Sequence, residues 1–471
     1  MSVAPTVTPP APLLDELEAR LRDLLAELPL PAATAGPGRP PQLPALVLWA
    51  GLLVCVLRGF ATQRSLWQLV TFQGWWHFPR VEITEQAVNK RLERTPPTAL
   101  ITFFTALTQL LQQRHARVND VPAARFATDI LALDHSTLDA VCRKLKVFRD
   151  LPRGAPALLP GQLATLFDVR RQLFAHVEFW DDAQRNEKFQ VEHWLDRLAP
   201  GTLLLFDLGF FSFSWFDQLT AHHCHFISRQ RQKTTYVLQH LLFAGQAGPV
   251  YLRDQLVYLG KYRADRAEHP VRLIEVQLPT ATYRYLTNVL DPARLSAADV
   301  LELYRRRWDI EQAFNLLKTH LHLCWFWSGH PYAVQHQVFA TLSLAQVVLA
   351  LRLEVAQAAQ AALREVSLPL LLRWLPRLAA TGADPVRLLA ERGRQVEIIR
   401  PFRGKAHLLP EAALADYTLP AEWPPPRKAR CAGRTGQEGR RPSPAVLAKQ
   451  KQKWQQKGAL RTSARRRPVR P

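Results

Sequence analysis

Cysteine is scarce in this chain. Five occur among 471 residues, at Cys55, Cys142, Cys224, Cys324 and Cys431. The count is odd and no two have metal-ligand spacing, so neither a disulfide framework nor a thiolate metal site underlies the fold, and a reducing cytoplasm fits this usage. No basic-then-apolar segment opens the sequence, so no secretory leader is expected. Nor is there an apolar run of the roughly 20 residues that a membrane span needs. The most apolar stretch, Ala45 to Leu57, is shorter, reads as a buried core helix and gives no reason to expect a membrane partner. Acidic residues are almost missing from the C-terminal end: residues 427–471 hold 15 Lys or Arg against Glu438 alone. That segment carries most of the formal net charge of +21. Such an excess implies a polyanionic partner, nucleic acid before acidic membrane, and the composition predicts a solvated arm that adds phosphate contacts.

Hydrophobic spacing divides the rest. Residues 1–44 contain ten prolines flanking one short helical pattern, Leu14, Leu17, Leu21, Leu24 and Leu28, a seam for packing or for a dimer contact. Residues 45–124 read as helical. Within them RSLWQLV and ITEQAVNKRLERTP, with Lys90, Arg91 and Arg94, suggest a helix-turn-helix-like DNA reader. Residues 125–231 give strand, strand, strand, helix, strand, helix, strand. That is the order of an α/β, ribonuclease-H-like mixed sheet, with three antiparallel strands and then parallel strands added through helical crossovers. Residues 232–295 read as a β-rich insertion, residues 296–400 as helices completing the catalytic domain, and residues 401–471 as a basic, Pro-rich, disordered tail.

Three carboxylates stand out. Asp134 closes the apolar run LALD, and Asp207 closes LLLFD. A carboxylate at the mouth of a buried strand is placed for more than solubility, although one alone is most often a turn residue. The third lies in SAADVLELYRRRWDIEQAFNLLKTHLHL, where Ser296 caps a helix. Leu303, Ile310, Phe314, Leu317 and Leu321 form its apolar stripe. At about 100° per residue, Tyr304, Arg307, Glu311, Asn315 and Lys318 fall within a wedge of roughly 80° beside it. This is either an ordinary solvated face with an Arg307/Glu311 pair or a metal-binding Glu flanked by phosphate-binding cations. Cutting a phosphodiester needs an activated nucleophile and a stabilised leaving oxygen. Two Mg²⁺ held by carboxylates supply both.

Tyr304-x2-Arg307-x3-Glu311-x6-Lys318 resembles the Tyr-Arg-Glu-Lys signature of insertion-sequence-4-like DDE transposases. LFDLGF around Asp207, LALDHSTLDA around Asp134 and TYRYLTNVLD before the last helix resemble other motifs of that family. The resemblance implies that Asp134, Asp207 and Glu311 are catalytic and bind two Mg²⁺. It implies that Tyr304, Arg307 and Lys318 contact DNA, and that a homodimer cuts double-stranded DNA at inverted-repeat ends and joins the 3′-hydroxyl to a target. It implies no small-molecule substrate, and a cytoplasmic, nucleoid-associated location. Some members form a hairpin and flip a base. Here no Trp lies between Trp215 and Trp308, so a stacking aromatic in that span has to be a Tyr or Phe. His135, after the first Asp, departs from the family's usual small residue. It is either a sheet-end histidine or a metal or substrate contact. Asp129 and Asp139 rank behind Asp134 as first carboxylate. The alternatives are an inactive DNA-binding regulator derived from a transposase, which the intact acidic trio speaks against, and a membrane-surface protein.

Overall fold

In the computed structural model, the central element is a nine-stranded mixed sheet with helices on both faces. The structure describes residues 43–427 except 61, 75–77, 116–122, 139–160, 181–190, 262–265, 324–325, 329, 380–383 and 402–407. The leucine seam before residue 44, Asp139 and nearly all of the basic arm lie outside the described residues. The chain divides into two units, Met1–Pro426 and Arg427–Pro471, and the described helices and strands all belong to the first.

Four helices come first: α1 (Ala45–Leu57), α2 (Gln63–Gln68, continued by a wider turn to Gln73), α3 (Glu85–Arg94) and α4 (Thr98–Arg114). The Thr84 hydroxyl caps α3 by accepting from Ala87 N at 3.2 Å. Its apolar positions Val88 and Leu92 are buried, and Lys90 and Arg94 are exposed. α1 is buried over nearly its whole length, as its composition predicts.

The strands β1 (Ile130–Thr137), β2 (Gln162–Asp168), β3 (Leu173–Trp180), β4 (Leu203–Phe206) and β5 (His225–Arg229) follow, with α5 (Val191–Leu195) before β4 and α6 (Phe213–Ala221) before β5. β1 pairs antiparallel with β2, and β2 with β3. β4 joins β1 in parallel, and β5 joins β4 in parallel. This is the strand order expected from the sequence. β6 (Tyr236–Ala247), β7 (Val250–Leu259), β8 (Val271–Gln277) and β9 (Thr282–Thr287) form the β-rich stretch. They do not stand apart. β9 pairs with β5, so the same sheet continues in the order β3-β2-β1-β4-β5-β9-β8-β7-β6.

Each buried strand shows alternate residues to two cores. Ile130, Ala132, Leu203, Leu205 and Ile227 enter the core shared with the N-terminal and C-terminal helices. Leu131, Leu133, Leu204, Phe206 and Phe226 enter a second core with Trp194, Trp215 and Phe216. This period of two decides which side chains can meet above the sheet.

The long helix expected from Ser296 is interrupted. α7 (Ala297–Arg306) and α8 (Trp308–Asn315) meet at Arg307, and Leu316–His320 form a wider last turn. The break is a tightened turn in which Ile310 N donates to Arg307 O, three residues back. Ser296 does cap α7, accepting from Asp299 N at 3.0 Å. α9 (Pro331–Ala358) then runs through the core. It is long and apolar enough to cross a membrane, yet 89% of its most apolar window is buried inside the protein. α10 (Leu368–Ala379) and α11 (Pro385–Arg392) complete the helical layer.

The tail expected from residue 401 starts later. Residues 408–426 form an irregular stretch with one short 3-10 turn at Leu414–Asp416, and they lie on β6 and β7. Thr418 N donates to Leu242 O at 2.9 Å, and the Tyr417 ring stacks on Phe243 with centroids 5.2 Å apart. Tyr417 also donates its hydroxyl to Asp254 Oδ2 at 3.3 Å. Apolar and aromatic residues inside a Pro-rich stretch thus hold it to the sheet, which composition averaged over residues 401–471 conceals.

Candidate active site

β1 and β4 run in parallel with Leu133 opposite Phe206 as their last paired residues. The next residue on each strand is a carboxylate, Asp134 on one and Asp207 on the other. β1 continues to Thr137, so Asp134 ends the buried part of the strand and not the strand itself. By the alternation above, both carboxylates point to the face carrying α7 and α8. The same row continues along the sheet. Asp207 and Arg229 each come two residues past the last pair, Leu205↔Ile227, both act electrostatically on Tyr304, and Arg229 is paired with Tyr285 of β9. Neighbouring strands lie about 4.8 Å apart, so a row across four strands puts these groups within reach of one another.

α7 and α8 cover this row. Arg307, at their junction, donates from Nη2 to Glu311 Oε1 at 2.7 Å and from Nη1 toward Asp134 Oδ2 at 3.5 Å. One guanidinium therefore bridges a carboxylate of the sheet and a carboxylate of the helix. Tyr304 is buried, with its ring centroid 5.2 Å from that of Tyr285. The Lys318 ammonium donates to Thr137 O at 2.8 Å, near the end of β1. Asp207 accepts from Gly209 N at 2.7 Å, which fixes its carboxylate in a tight turn.

The electrostatics follow from burial and like charge. Loss of solvent pushes the Asp134 carboxyl up to about 7. The His135 amide and Arg307 oppose this, and Asp207 and Glu311 add to it. Burial also raises the Tyr304 hydroxyl, against the pull of Arg307 and Arg229. Burial alone lowers Arg307, but Tyr304, Glu311 and Asp134 outweigh it and hold the guanidinium above its ordinary value.

All six residues singled out in the sequence thus lie on or beside one face. Among the described residues, no three Asp, Glu, His or Cys side chains form a set that could hold a metal ion. Arg307 bridges two of the three carboxylates instead. The donor chemistry nevertheless suits a hard divalent cation: carboxylate oxygens on a rigid sheet end, with a fixed cation already drawn to them.

His135 belongs to the other face. Its ring packs edge-on against Trp180 and Phe210, centroids 4.7 and 4.9 Å away, and burial lowers its pKa to about 4. It is a neutral sheet-end histidine, set apart from Asp134 by the strand's alternation. Asp129 lies at the opposite end of β1, where its carboxylate accepts from Arg171 at 2.8 Å.

Three neighbours of the site carried no sequence signal strong enough to single them out: Arg229, Tyr285 and Trp308. Register alone reveals the first two. Trp308 follows Arg307 directly, is 57% exposed, and has its ring centroid 5.8 Å from the guanidinium carbon. An exposed Trp on an otherwise well-buried helix junction is unusual and suits a flat partner.

Residues 130–328 match the family model described as "Transposase DDE domain". The matched segment begins with β1 and contains Asp134, Asp207, Tyr304, Arg307, Glu311 and Lys318. The chain is 27% identical over 166 residues to "Putative transposase y4zB" of Sinorhizobium fredii. That similarity spans 34% of this chain and 44% of the relative's length. Among solved structures, a piggyBac transposase in a synaptic complex with hairpin DNA aligns over 83% of this chain and 84% of its own, with 11% identity and a TM-score of 0.38. The family match and the relative are likenesses of part of this chain to DDE-type transposases.

Proposed function

We propose that this protein is a DNA transposase of the insertion-sequence-4-like kind, built on a ribonuclease-H-like sheet. It cuts double-stranded DNA at inverted-repeat ends and transfers the 3′-hydroxyl to a target. The observation that carries this reading is the placement of Asp134 and Asp207 each one residue past the last pair of two parallel strands, under the helix that bears Glu311.

Asp134, Asp207 and Glu311 would hold two Mg²⁺, which when bound supply an activated nucleophile and stabilise the leaving oxygen. For Glu311 and Asp134 to become ligands, Arg307 has to leave its bridge between them. Its planar fork then suits a DNA phosphate. Tyr304 sits under Arg307 and limits where that side chain can go. Lys318 adds a second cation beyond the end of β1, and Arg229 a third near Tyr304. Trp308 is placed to stack on an unpaired base next to the cut, a role the tyrosines and phenylalanines of residues 216–307 need not fill. α2 and α3 would read the DNA, and the exposure of Lys90 and Arg94 on α3 supports this. Action as a homodimer in the DNA complex and a cytoplasmic, nucleoid-associated location complete the reading.

The test is cleavage of DNA taken from both flanks of the gene. Purified full-length chain with Mg²⁺ is expected to cut at short inverted repeats and leave 3′-hydroxyl ends. Cutting that is no greater than that of Asp134→Asn and Glu311→Gln protein would reduce the chain to a DNA-binding regulator.

A further inference from the structure

From the residue after Glu311 to a helical turn beyond it, the surface opens into a cavity of about 1150 Å³. Gln312 and Asn315 of α8 form one wall. Asn315 follows Glu311 by four residues, so it continues the carboxylate face about 6 Å further along the axis. The opposite wall is made by residues 364–369 and 394–401, and it carries Arg364, Arg394 and Arg400, all exposed.

This wall is held rigidly. Val366 and Ile399 form an antiparallel bridge, Ser367 N donates to Ile398 O at 2.9 Å, and Arg400 N donates to Glu365 O at 3.0 Å. From beneath, the buried Arg352 donates to Val366 O at 2.9 Å. Gly393 lies so close that an added Cβ would come within 2.8 Å of Ile399 Cδ1. Glu397 adopts φ 58°, a left-handed conformation that costs a non-Gly residue energy and that the surrounding turn must enforce. Four arginines line the space against the acids Glu365 and Glu397. The Glu365 carboxylate is spent on the Ala362 amide at 3.0 Å.

We propose that this cavity seats the phosphodiester backbone of the DNA strand running on from the carboxylates, gripped by Arg364, Arg394 and Arg400. The proposal rests on the nuclease reading for its direction. Asn315, on the cavity wall, lies one turn past Glu311, a distance of one or two nucleotides at about 3.4 Å each along a stacked strand. Guanidinium groups on a fixed wall suit phosphate oxygens, and Gln312 and Asn315 offer amides to bases or sugars on the other side.

The experiment measures binding of a fluorescent 5′-labelled single-stranded oligonucleotide by the full chain in EDTA, where no cutting occurs, over a series of salt concentrations. Arg364→Gln/Arg400→Gln protein is compared with wild type and with Arg387→Gln. Arg387 is an exposed arginine of α11, paired with Glu391 away from the cavity. Loss of two phosphate contacts is expected to weaken binding about tenfold and to flatten the log–log salt slope by about 1.4, with Arg387→Gln unchanged. Equal slopes for wild type and the double variant overturn the proposal. So does thermal stabilisation by ATP that wild type shows and the double variant loses, which would assign the cavity to a mononucleotide. Circular dichroism checks that the double variant keeps its fold. Binding is read without turnover, so failure of Mg²⁺-dependent cutting in the separate assay sinks the nuclease reading without altering this result.

Discussion

Arg307 donates to Glu311 at 2.7 Å across one turn of helix, and the same guanidinium reaches Asp134 on the sheet. The pair is only partly exposed, and it holds together two acids that would otherwise repel. Arg307→Ala removes this cation and leaves three carboxylates to face one another. We expect that variant to melt lower than wild type in EDTA at neutral pH and to recover more than wild type when Mg²⁺ is added. Differential scanning fluorimetry with and without Mg²⁺ reads both effects, and a smaller Mg²⁺ shift in the variant would contradict the bridging role. Arg307→Lys keeps a charge without the fork and should fall between the two.

Asp134 gives a pH signature. Its carboxyl is raised to about 7 in the fold from an ordinary value of 3.8. A raised folded-state value means that the folded chain binds the proton more tightly than the unfolded one. The associated stability is complete below about pH 4 and is lost as pH climbs through about 7. The loss amounts to at most about 4 kcal/mol, taking 1.36 kcal/mol per unit. Asp134→Asn should therefore be stabilising relative to wild type at about pH 8, with a smaller difference at about pH 5. Urea denaturation of both proteins in EDTA at the two pH values checks the sign, and a difference that shrinks with rising pH refutes it.

Each acidic member of the site has its own expected loss. Asp134→Asn, Asp207→Asn and Glu311→Gln should each lower Mg²⁺-dependent DNA cutting by about a hundredfold or more, the scale seen when one charge-stabilising group is removed from an active site. DNA retention in EDTA should persist. Loss of retention together with cutting would point to misfolding, which circular dichroism distinguishes.

The β-rich stretch has a different weak point. Arg272 and Asp254 are both fully buried, and Arg272 Nε donates to Asp254 Oδ1 at 2.8 Å. Asp254→Ala strands a buried guanidinium and should cost about 3–5 kcal/mol. Chemical denaturation measures this. A cost below about 1 kcal/mol, the usual value of a surface pair, would show that water reaches the site.

Trp308 offers a test of base stacking. Trp308→Ala removes a side chain that is more than half exposed, so stability should change by only about 1 kcal/mol or less. Quenching of Trp fluorescence by bound DNA, compared between wild type and the variant, shows whether this ring meets a base.

Much of this was legible in the residues. LLLF buries on both faces, so a strand of four leads directly to Asp207, and the period of two puts Asp134 on the same side. Ser296 and Thr84 cap helices as their hydroxyls suggest. Less legible was everything that depends on register between distant strands. Arg229 reaches the Tyr304 side of the site only because β5 pairs in parallel with β4, and Tyr285 stands next to it only because β9 returns antiparallel. No local spacing encodes either. The break at Arg307 was hidden too, since YRRRWDIEQ has uninterrupted helical character and the tightened turn comes from seating two helix segments on one sheet. Residues 408–426 read as tail because proline and charge dominate the window, whereas Tyr417 and Thr418 decide where the chain goes.

Both borders of the sheet are partly covered, by unlike means. On one, the Gln346 side chain of α9 accepts from Phe174 N at 3.0 Å and donates to Phe174 O at 2.9 Å, so a single amide takes the part of a neighbouring strand. On the other, the extended stretch around Thr418 bonds to Leu242 and His240 of β6. Unsatisfied strand borders invite pairing between molecules. With these positions occupied, part of each edge ladder is shielded from pairing between copies of the chain. Shortened versions should keep everything up to Pro426, because cutting back past Thr418 would uncover β6 and trade a dispersed protein for aggregates.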